Sequence, residues 1–357
     1  MSKKLYSYEL IEALSSAFGP SGCEERVVEL IREQTDDLGI TPTLDKLGNL
    51  IFEVRSNKKN AKKLMLSAHT DEVGFMVTEI TKKGYLKIDT VGGISADVVA
   101  GRHVTVEAKN KELINGIISS KAIHHKSRED RLKAEKIEKL SVDVGAKDAD
   151  EAKELCEVGS YLTFAENFKR FGKDNRFLSS KALDDRLGCA LLIELMRRAV
   201  KEADALPLDL CFAFTTREEV GISGATVAAN VIRPDYAVVL ETTAVADIAD
   251  VPDAQRVAKL GEGGAISLMD RSTIYDRELV DLMLEIAKEN GIKVQVKKYV
   301  SGGNDAGHIH KSTTGVRTLA LSAPTRYLHS PNCVASLDDY DSMLELLYKF
   351  IFTEKLN

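Results

Sequence analysis

Four short, unbroken apolar runs constrain this chain more than any other feature: LMLSA (64–68), LDLCFAF (208–214), YAVVL (236–240) and VRTLALSA (316–323). Runs of this length with no polar alternate position suit strands that are covered on both faces, the habit of a parallel sheet between helices. The segments DRLGCALLIELMRRAV (185–200), ELVDLMLEIAKEN (278–290) and DDYDSMLELLYKFIFTEKL (338–356) repeat apolar residues at helical spacing. Two more helical patterns, YELIEALSSAF and ERVVELIREQTDDLG, precede two short strands around LDKLGNLIFEV. Alternating strand and helix predicts an α/β fold with a mostly parallel central sheet flanked by helices.

Residues 73 to about 165 break that rhythm. VGFMVTEI, YLKIDTVGG, HVTVEAKN and LINGIISS alternate apolar with polar residues, carry many β-branched side chains and are punctuated by Gly. That pattern predicts a small antiparallel sheet or barrel inserted into the α/β unit. A chain of 357 residues accommodates such a pair at about 150 residues per domain. The division expected is a catalytic α/β domain of 1–72 and 166–357, with an inserted β domain of 73–165.

Charge and composition exclude several classes of function. With 49 Lys+Arg against 55 Asp+Glu, and no basic patch interleaved with aromatics, nucleic acid and anionic membrane are not expected partners. No apolar stretch approaches the ~20 residues needed to cross a bilayer, and the N-terminal segment lacks the pattern of a secretory signal. Five cysteines at scattered positions suit neither a disulfide framework nor a thiolate metal site, which predicts a reducing, cytoplasmic setting. No phosphate loop, dinucleotide fingerprint or nucleophile elbow is present.

In open parallel sheets ligands bind beyond the carboxyl ends of the strands, so polar residues there are functional candidates. LMLSA runs into His69 and Asp71, LDLCFAFTTR into Glu218 and Glu219, YAVVL into Glu241, and VRTLALSAPTRYL leads to His329. The Asp184–Asp185 pair opens a helix. Each has an ordinary structural explanation when taken alone. His69 with Asp71 is also a hydrogen-bonded pair, Asp184–Asp185 a helix cap, and Glu218–Glu219 a solvated loop. A charge ending the wholly apolar Glu241 strand is harder to explain so, and independent surface acids have no reason to gather at one sheet edge. Imidazoles and carboxylates without thiolate suit a catalytic Zn, Co or Mn. Five such ligands exceed what one open catalytic ion needs and suffice for two ions that share a carboxylate. His103, His124, His125, His308 and His310 are expected to be packing or surface residues.

The ordered segments GPSGCEE, DKLGNLI, AHTDEVGFMV, KALDDRLG, REEVGISGA, GGNDAG and RYLHSP resemble a known family of cytosolic dinuclear metallo-aminopeptidases. It includes glutamyl aminopeptidase, the tetrahedral TET aminopeptidases and proteins called cellulase or endoglucanase M. The resemblance spans about residue 18 to residue 331, nearly the whole chain. It implies two divalent ions per subunit, Zn or Co foremost, with His69 holding one, Asp184 bridging, and Glu219 with His329 holding the other. Glu218 would be the general base and acid, and Asp71 would orient His69. Glu241 departs from the Asp usual at that strand end; it keeps the charge, is one methylene longer, and is carried as a ligand. The resemblance further implies peptide substrates cleaved from the N-terminus and a homo-oligomer, from dimer to tetrahedral dodecamer. Two rival readings are a metal-independent glycosidase, which would use paired acids without histidine ligands and lacks any Trp for sugar stacking here, and a non-catalytic peptide-binding paralogue.

Overall fold

The computed structural model describes residues 3–300 and 302–356. The four apolar runs become four adjacent strands, Asp209–Thr215, Lys63–His69, Tyr236–Ala244 and Arg317–Thr325, all parallel to one another. Leu64 to His69 and Leu210 to Thr215 are buried at every position, as unbroken apolar sequence requires of a strand covered on both faces. Shorter strands extend this centre to an eight-stranded mixed sheet. Leu50–Val54 and Thr43–Leu44 lie antiparallel on one side; Gly264–Ile266, antiparallel to Arg317–Thr325, and Val294–Val296 lie on the other. The expected parallel sheet therefore holds at its centre, while both flanks carry antiparallel pairings.

Helix Leu183–Lys201 packs across the central strands and against helices Ser7–Ser16 and Leu337–Ile351. Helix Arg277–Asn290 shows why such segments form where they do. The Asp276 carboxylate accepts the Leu279 N–H at its start. Leu279, Val280, Leu282, Met283, Ile286 and Ala287 make one buried stripe, and Gly291 ends the helix with φ of 65°.

The strands Gly74–Ile80, Leu86–Val91, Ser141–Asp143, Leu113–Ile118, His103–Glu107 and Tyr161–Phe164 close into a six-stranded barrel. It has its own core, with Phe75 and Phe164 edge to face at 5.4 Å among Ile88, Val104 and Leu162. A further three-stranded sheet, not expected from sequence, joins Lys169–Phe171, Phe177–Ser180 and Cys333–Ser336. Its Ser180–Cys333 register draws the segment before Asp184 against the segment after His329. All five cysteines are buried and unbridged.

Beneath the sheet edge, Lys181 Nζ meets Glu72 Oε1 at 2.6 Å with both side chains 3% exposed. Arg186, wholly buried, donates to the carbonyls of Leu14, Ala17 and Gly19 and stands 3.6 Å from the same Glu72 oxygen. These contacts tie the N-terminal helix and the Gly19–Pro20 turn to the start of the long helix. Removing one partner of a buried ion pair leaves an uncompensated charge, so Lys181→Met is expected to lose about 3–5 kcal/mol of stability. Denaturant unfolding of this variant and of Glu72→Gln/Lys181→Met checks the assignment; the double variant should recover much of the loss.

Candidate functional site

The carboxyl ends of the central strands converge on one buried cluster of acids and imidazoles. His69 closes its strand opposite Thr215, and Glu241 sits in the adjoining strand beside Ser322. Glu218 and Glu219 follow Thr215 in a turn that enters through Arg217, whose φ is 57°. Asp184 and Asp185, joined by a cis peptide, open the long helix directly after Ala182, whose φ is 51°. His329 also has a left-handed backbone, φ 54°. Non-glycine residues held in this conformation gather where surrounding structure fixes a functional geometry.

Asp184 is the centre of the arrangement. Its Oδ1 lies 3.2 Å from His69 Nε2 and its Oδ2 lies 3.3 Å from His329 Nε2. Glu241 Oε1 approaches His69 Nε2 at 3.6 Å, and Glu219 Oε1 approaches His329 Nε2 at 3.3 Å. The far nitrogen of each imidazole faces a backbone carbonyl: His69 Nδ1 is 3.1 Å from the Asp71 oxygen and His329 Nδ1 is 2.7 Å from the Gly93 oxygen. A carbonyl there fixes the proton on Nδ1 and turns Nε2 inward as a lone-pair donor, the arrangement that orients a ligating histidine. Gly93 follows barrel strand Leu86–Val91, so the segment leaving the barrel supplies the carbonyl behind His329.

Asp71 does more than orient His69. Its Oδ1 is 3.5 Å from His69 Nδ1 and accepts the Glu218 N–H at 3.0 Å; its Oδ2 accepts the Glu219 N–H at 3.1 Å and the Ser21 hydroxyl. One wholly buried carboxylate thus sets both the imidazole and the Glu218–Glu219 turn. Burial works against its charge, but the hydrogen bonds from His69, Ser21 and Glu218 hold its pKa below the usual carboxylate range.

The electrostatics of the cluster reflect crowded acids in a dry place. Burial, followed by the Asp184 charge, pushes Glu241 up to about 8. Burial also raises Glu218 well above the usual range and raises Glu219 and Asp185, with neighbouring acids adding to it. His329 is pushed up to about 12: burial opposes its charge, but Asp184 and Glu219 outweigh it. Burial likewise opposes the His69 cation, and Glu241, Asp184 and Asp71 together raise it well above the ordinary imidazole value. Asp184 is driven the other way, well below its usual range, by both histidines against the effect of burial.

Two sets of potential ligand atoms lie mutually within 4.8 Å, one from His69, Asp184 and Glu219, the other from His69, Asp185 and Glu241. Asp185 Oδ2 and Glu219 Oε1 are buried with no hydrogen-bond partner among the described residues. Orphaned anionic oxygens beside inward-facing imidazole nitrogens fit a divalent cation, whose charge and open coordination supply what the protein leaves unsatisfied.

The structure brings His69, Asp71, Asp184, Glu218, Glu219, Glu241 and His329 into one site, with Asp185 close behind. The remaining histidines stand apart: His103, His124 and His125 are exposed, His308 Nδ1 faces Thr226 Oγ1, and His310 Nδ1 faces the Ala306 carbonyl. Sequence reasoning missed Asp305, a buried acid that accepts from Thr215 Oγ1 at 2.7 Å and is pushed by burial up to about 6. It also missed Ser21 and the Gly93 carbonyl. The strand-end rule finds none of these, because each enters the site from a loop.

The chain is similar to known proteins along nearly its whole length. The M42 glutamyl aminopeptidase family matches over residues 48–346. A putative aminopeptidase of Acetivibrio thermocellus is 34% identical over 96% of this chain and 98% of its own length. Among solved structures, the TET aminopeptidase of a marine sediment Thaumarchaeota archaeon superposes with a TM-score of 0.91 at 32% identity, covering 96% of this chain and 95% of that one. The TET1 peptidase of Pyrococcus horikoshii, which can assemble into a tetrahedron or a large octahedral shell, gives 0.85 at 32% identity over 96% and 98% of the two chains. The match runs through every segment that supplies the clustered acids and imidazoles, and the chain belongs to the M42 glutamyl aminopeptidase family.

Proposed function

We propose that this protein is a dinuclear metal-dependent aminopeptidase that removes residues singly from the free N-terminus of peptides. The observation that carries the reading is the division of Asp184 between two histidines, one carboxylate oxygen toward each, at 3.2 and 3.3 Å. In this reading two divalent cations, Zn or Co in the first instance, would share Asp184 as a ligand. His69 and Glu241 complete one set of ligands, and Glu219 and His329 complete the other. Cations held there would acidify a water and polarise the scissile carbonyl, the usual contribution of a paired-metal site.

The chain's own residues do the rest. Glu218 accepts a proton from the attacking water and returns it to the departing amine; burial already places its proton affinity above that of an ordinary carboxylate, as a base and acid near neutral pH requires. Asp71 holds Glu218 in reach through its backbone N–H and keeps His69 turned inward. Glu241 Oε1 accepts the Thr242 N–H at 2.9 Å, which holds its carboxylate at the strand end.

We further assign residues 73–165 as an inserted domain serving assembly and access to the site, with 1–72 and 166–357 as the catalytic domain. The solved relatives that form shells support a homo-oligomer here. No helix among the described residues is long and apolar enough to cross a membrane. The glycosidase alternative is disfavoured because it gives the two inward imidazoles nothing to do.

Glu218→Gln is expected to keep two metal equivalents by elemental analysis and to lose about 10²- to 10⁴-fold in kcat on aminoacyl anilides. Full activity in the metal-loaded variant would refute the base assignment. Metal loading has its own signature. Adding Zn or Co to chelator-stripped protein should raise Tm by several degrees, since ligand at ~1000 times Kd contributes about 4 kcal/mol. The raised imidazoles must shed protons to bind metal, so apparent affinity should fall as pH drops from 8 to 6. A Tm indifferent to metal, or hydrolysis that survives exhaustive chelation, would count against the paired-cation reading.

A further inference from the structure

The N–H groups of the turn that carries Glu218 go to side chains of remote segments. Thr216 N–H donates to Asn49 Oδ1 at 2.9 Å, Arg217 N–H to Glu24 Oε1 at 3.1 Å, and the N–H groups of Glu218 and Glu219 to the two oxygens of Asp71 at 3.0 and 3.1 Å. Arg217 stands at the bend, with φ of 57°, a backbone that a residue bearing a side chain keeps only where its surroundings fix it. Glu24 supplies the bond at that point. One residue further on, the Glu218 carboxylate lines a cavity of about 300 Å³ together with Asp184 and Glu241, so an error in the bend becomes an error in where the base stands.

Glu24 does not do what its place in the chain would suggest. It stands immediately before helix Glu25–Thr35, where a side chain ordinarily turns back to cap its own helix, and its carboxylate makes no such bond. It reaches instead across 193 positions to Arg217. The residue is 5% exposed, and burial, followed by the Asp71 charge, pushes it up to about 7. Burying a carboxyl group is costly, and what it gains here is two bonds from backbone, the Gly22 N–H at 2.8 Å and the Arg217 N–H.

A side chain can fix a turn only if its own loop is fixed. Ser21 N–H donates to the Glu72 carbonyl at 3.2 Å, and the Ser21 hydroxyl donates to Asp71. Gly22, with φ of 90°, packs so closely on the barrel that a Cβ there would stand 2.7 Å from the Tyr161 phenol oxygen. The GPSGCEE segment is thus wedged between the barrel and the turn, and it reaches the turn twice, through Ser21 by way of Asp71 and through Glu24 directly.

We propose that Glu24 is a positioning residue for the general base, fixing through the Arg217 N–H the bend that sets Glu218 against the cavity. The proposal rests on the peptidase reading above, in which Glu218 moves the proton. Glu24 takes no part in proton transfer and acts only through the turn.

The test measures kcat, KM and bound metal on metal-loaded Glu24→Ala, Glu24→Asp and Glu24→Gln with aminoacyl anilides. Asp keeps the charge and is one methylene short of the Arg217 N–H; Gln gives up the charge and keeps the accepting oxygen. Glu24→Ala and Glu24→Asp should each lose about 10- to 100-fold in kcat, the scale of a roughly 1 Å misplacement, with KM within about 3-fold of wild type and two metal equivalents retained. Glu24→Gln should recover most of that loss. If Glu24→Ala does not fold, the Asp and Gln variants carry the comparison by themselves. The same substitutions are then placed on Glu218→Gln. With the base gone, Glu24→Asp should cost less than about 3-fold more, because residues that act as a unit are not additive.

Wild-type kcat in Glu24→Asp, a loss in Glu24→Gln equal to that in Glu24→Asp, a loss that follows the metal content, or a full further loss in the Glu218→Gln background would each overturn the assignment and leave the aminopeptidase standing. Hydrolysis of no anilide by the metal-loaded wild type would overturn both.

Discussion

A concentration of buried negative charge governs this molecule. Buried Asp184, Asp185 and Glu241 and half-buried Glu218 and Glu219 meet at one end of a sheet whose interior is otherwise apolar, and the two imidazoles among them cannot balance five carboxyl groups. Uncompensated burial of such groups costs several kcal/mol each, so they persist only where protons or cations hold them. The raised proton affinities of Glu241, Glu218 and both histidines are the proton side of that requirement. The orphaned oxygens of Asp185 and Glu219 are its other side. A site that competes strongly for protons is one that competes for divalent cations, with the same atoms.

The surrounding structure is arranged to hold that charge in place. Asp71 spends its two oxygens on the backbone of the Glu218–Glu219 turn, so the strand that supplies His69 also positions the neighbouring acids. Below it, the Glu72–Lys181 pair and Arg186 neutralise one another while pinning the N-terminal helix. Left-handed backbone at Ala182, Arg217 and His329 flanks three separate donor segments. Such conformations survive because packing and hydrogen bonds on both sides over-determine them. Loss of rigidity anywhere in this frame would blur the placement of Asp184 between its two histidines, on which the proposed chemistry depends.

The cavity beside the cluster shows the same economy. Asp270 on its wall is saturated by the donors of Ser272, Thr273 and Tyr275, so this acid is held as structure beside the crowded cluster.

What the sequence determined by itself was set by local rules. Unbroken apolar runs have no solvent-facing alternate, which fixed Lys63–His69, Asp209–Thr215, Tyr236–Ala244 and Arg317–Thr325 as the covered centre of a sheet. Strict alternation in 73–165 marked the barrel strands, and a polar residue ending an apolar strand marked His69 and Glu241. The resemblance of seven ordered segments supplied roles for Asp184 and Glu218 that neither period nor propensity could. Tertiary structure alone decided the antiparallel flanks, the small sheet that brings Asp184 to His329, the Gly93 carbonyl behind His329, and the entry of Asp305. These depend on pairings across tens to hundreds of residues, where short strands carry too few side chains to declare their partners, and on loops whose paths follow from packing already in place. Residue types were written locally, but the distances that turn them into a site exist only once remote segments have been closed upon each other.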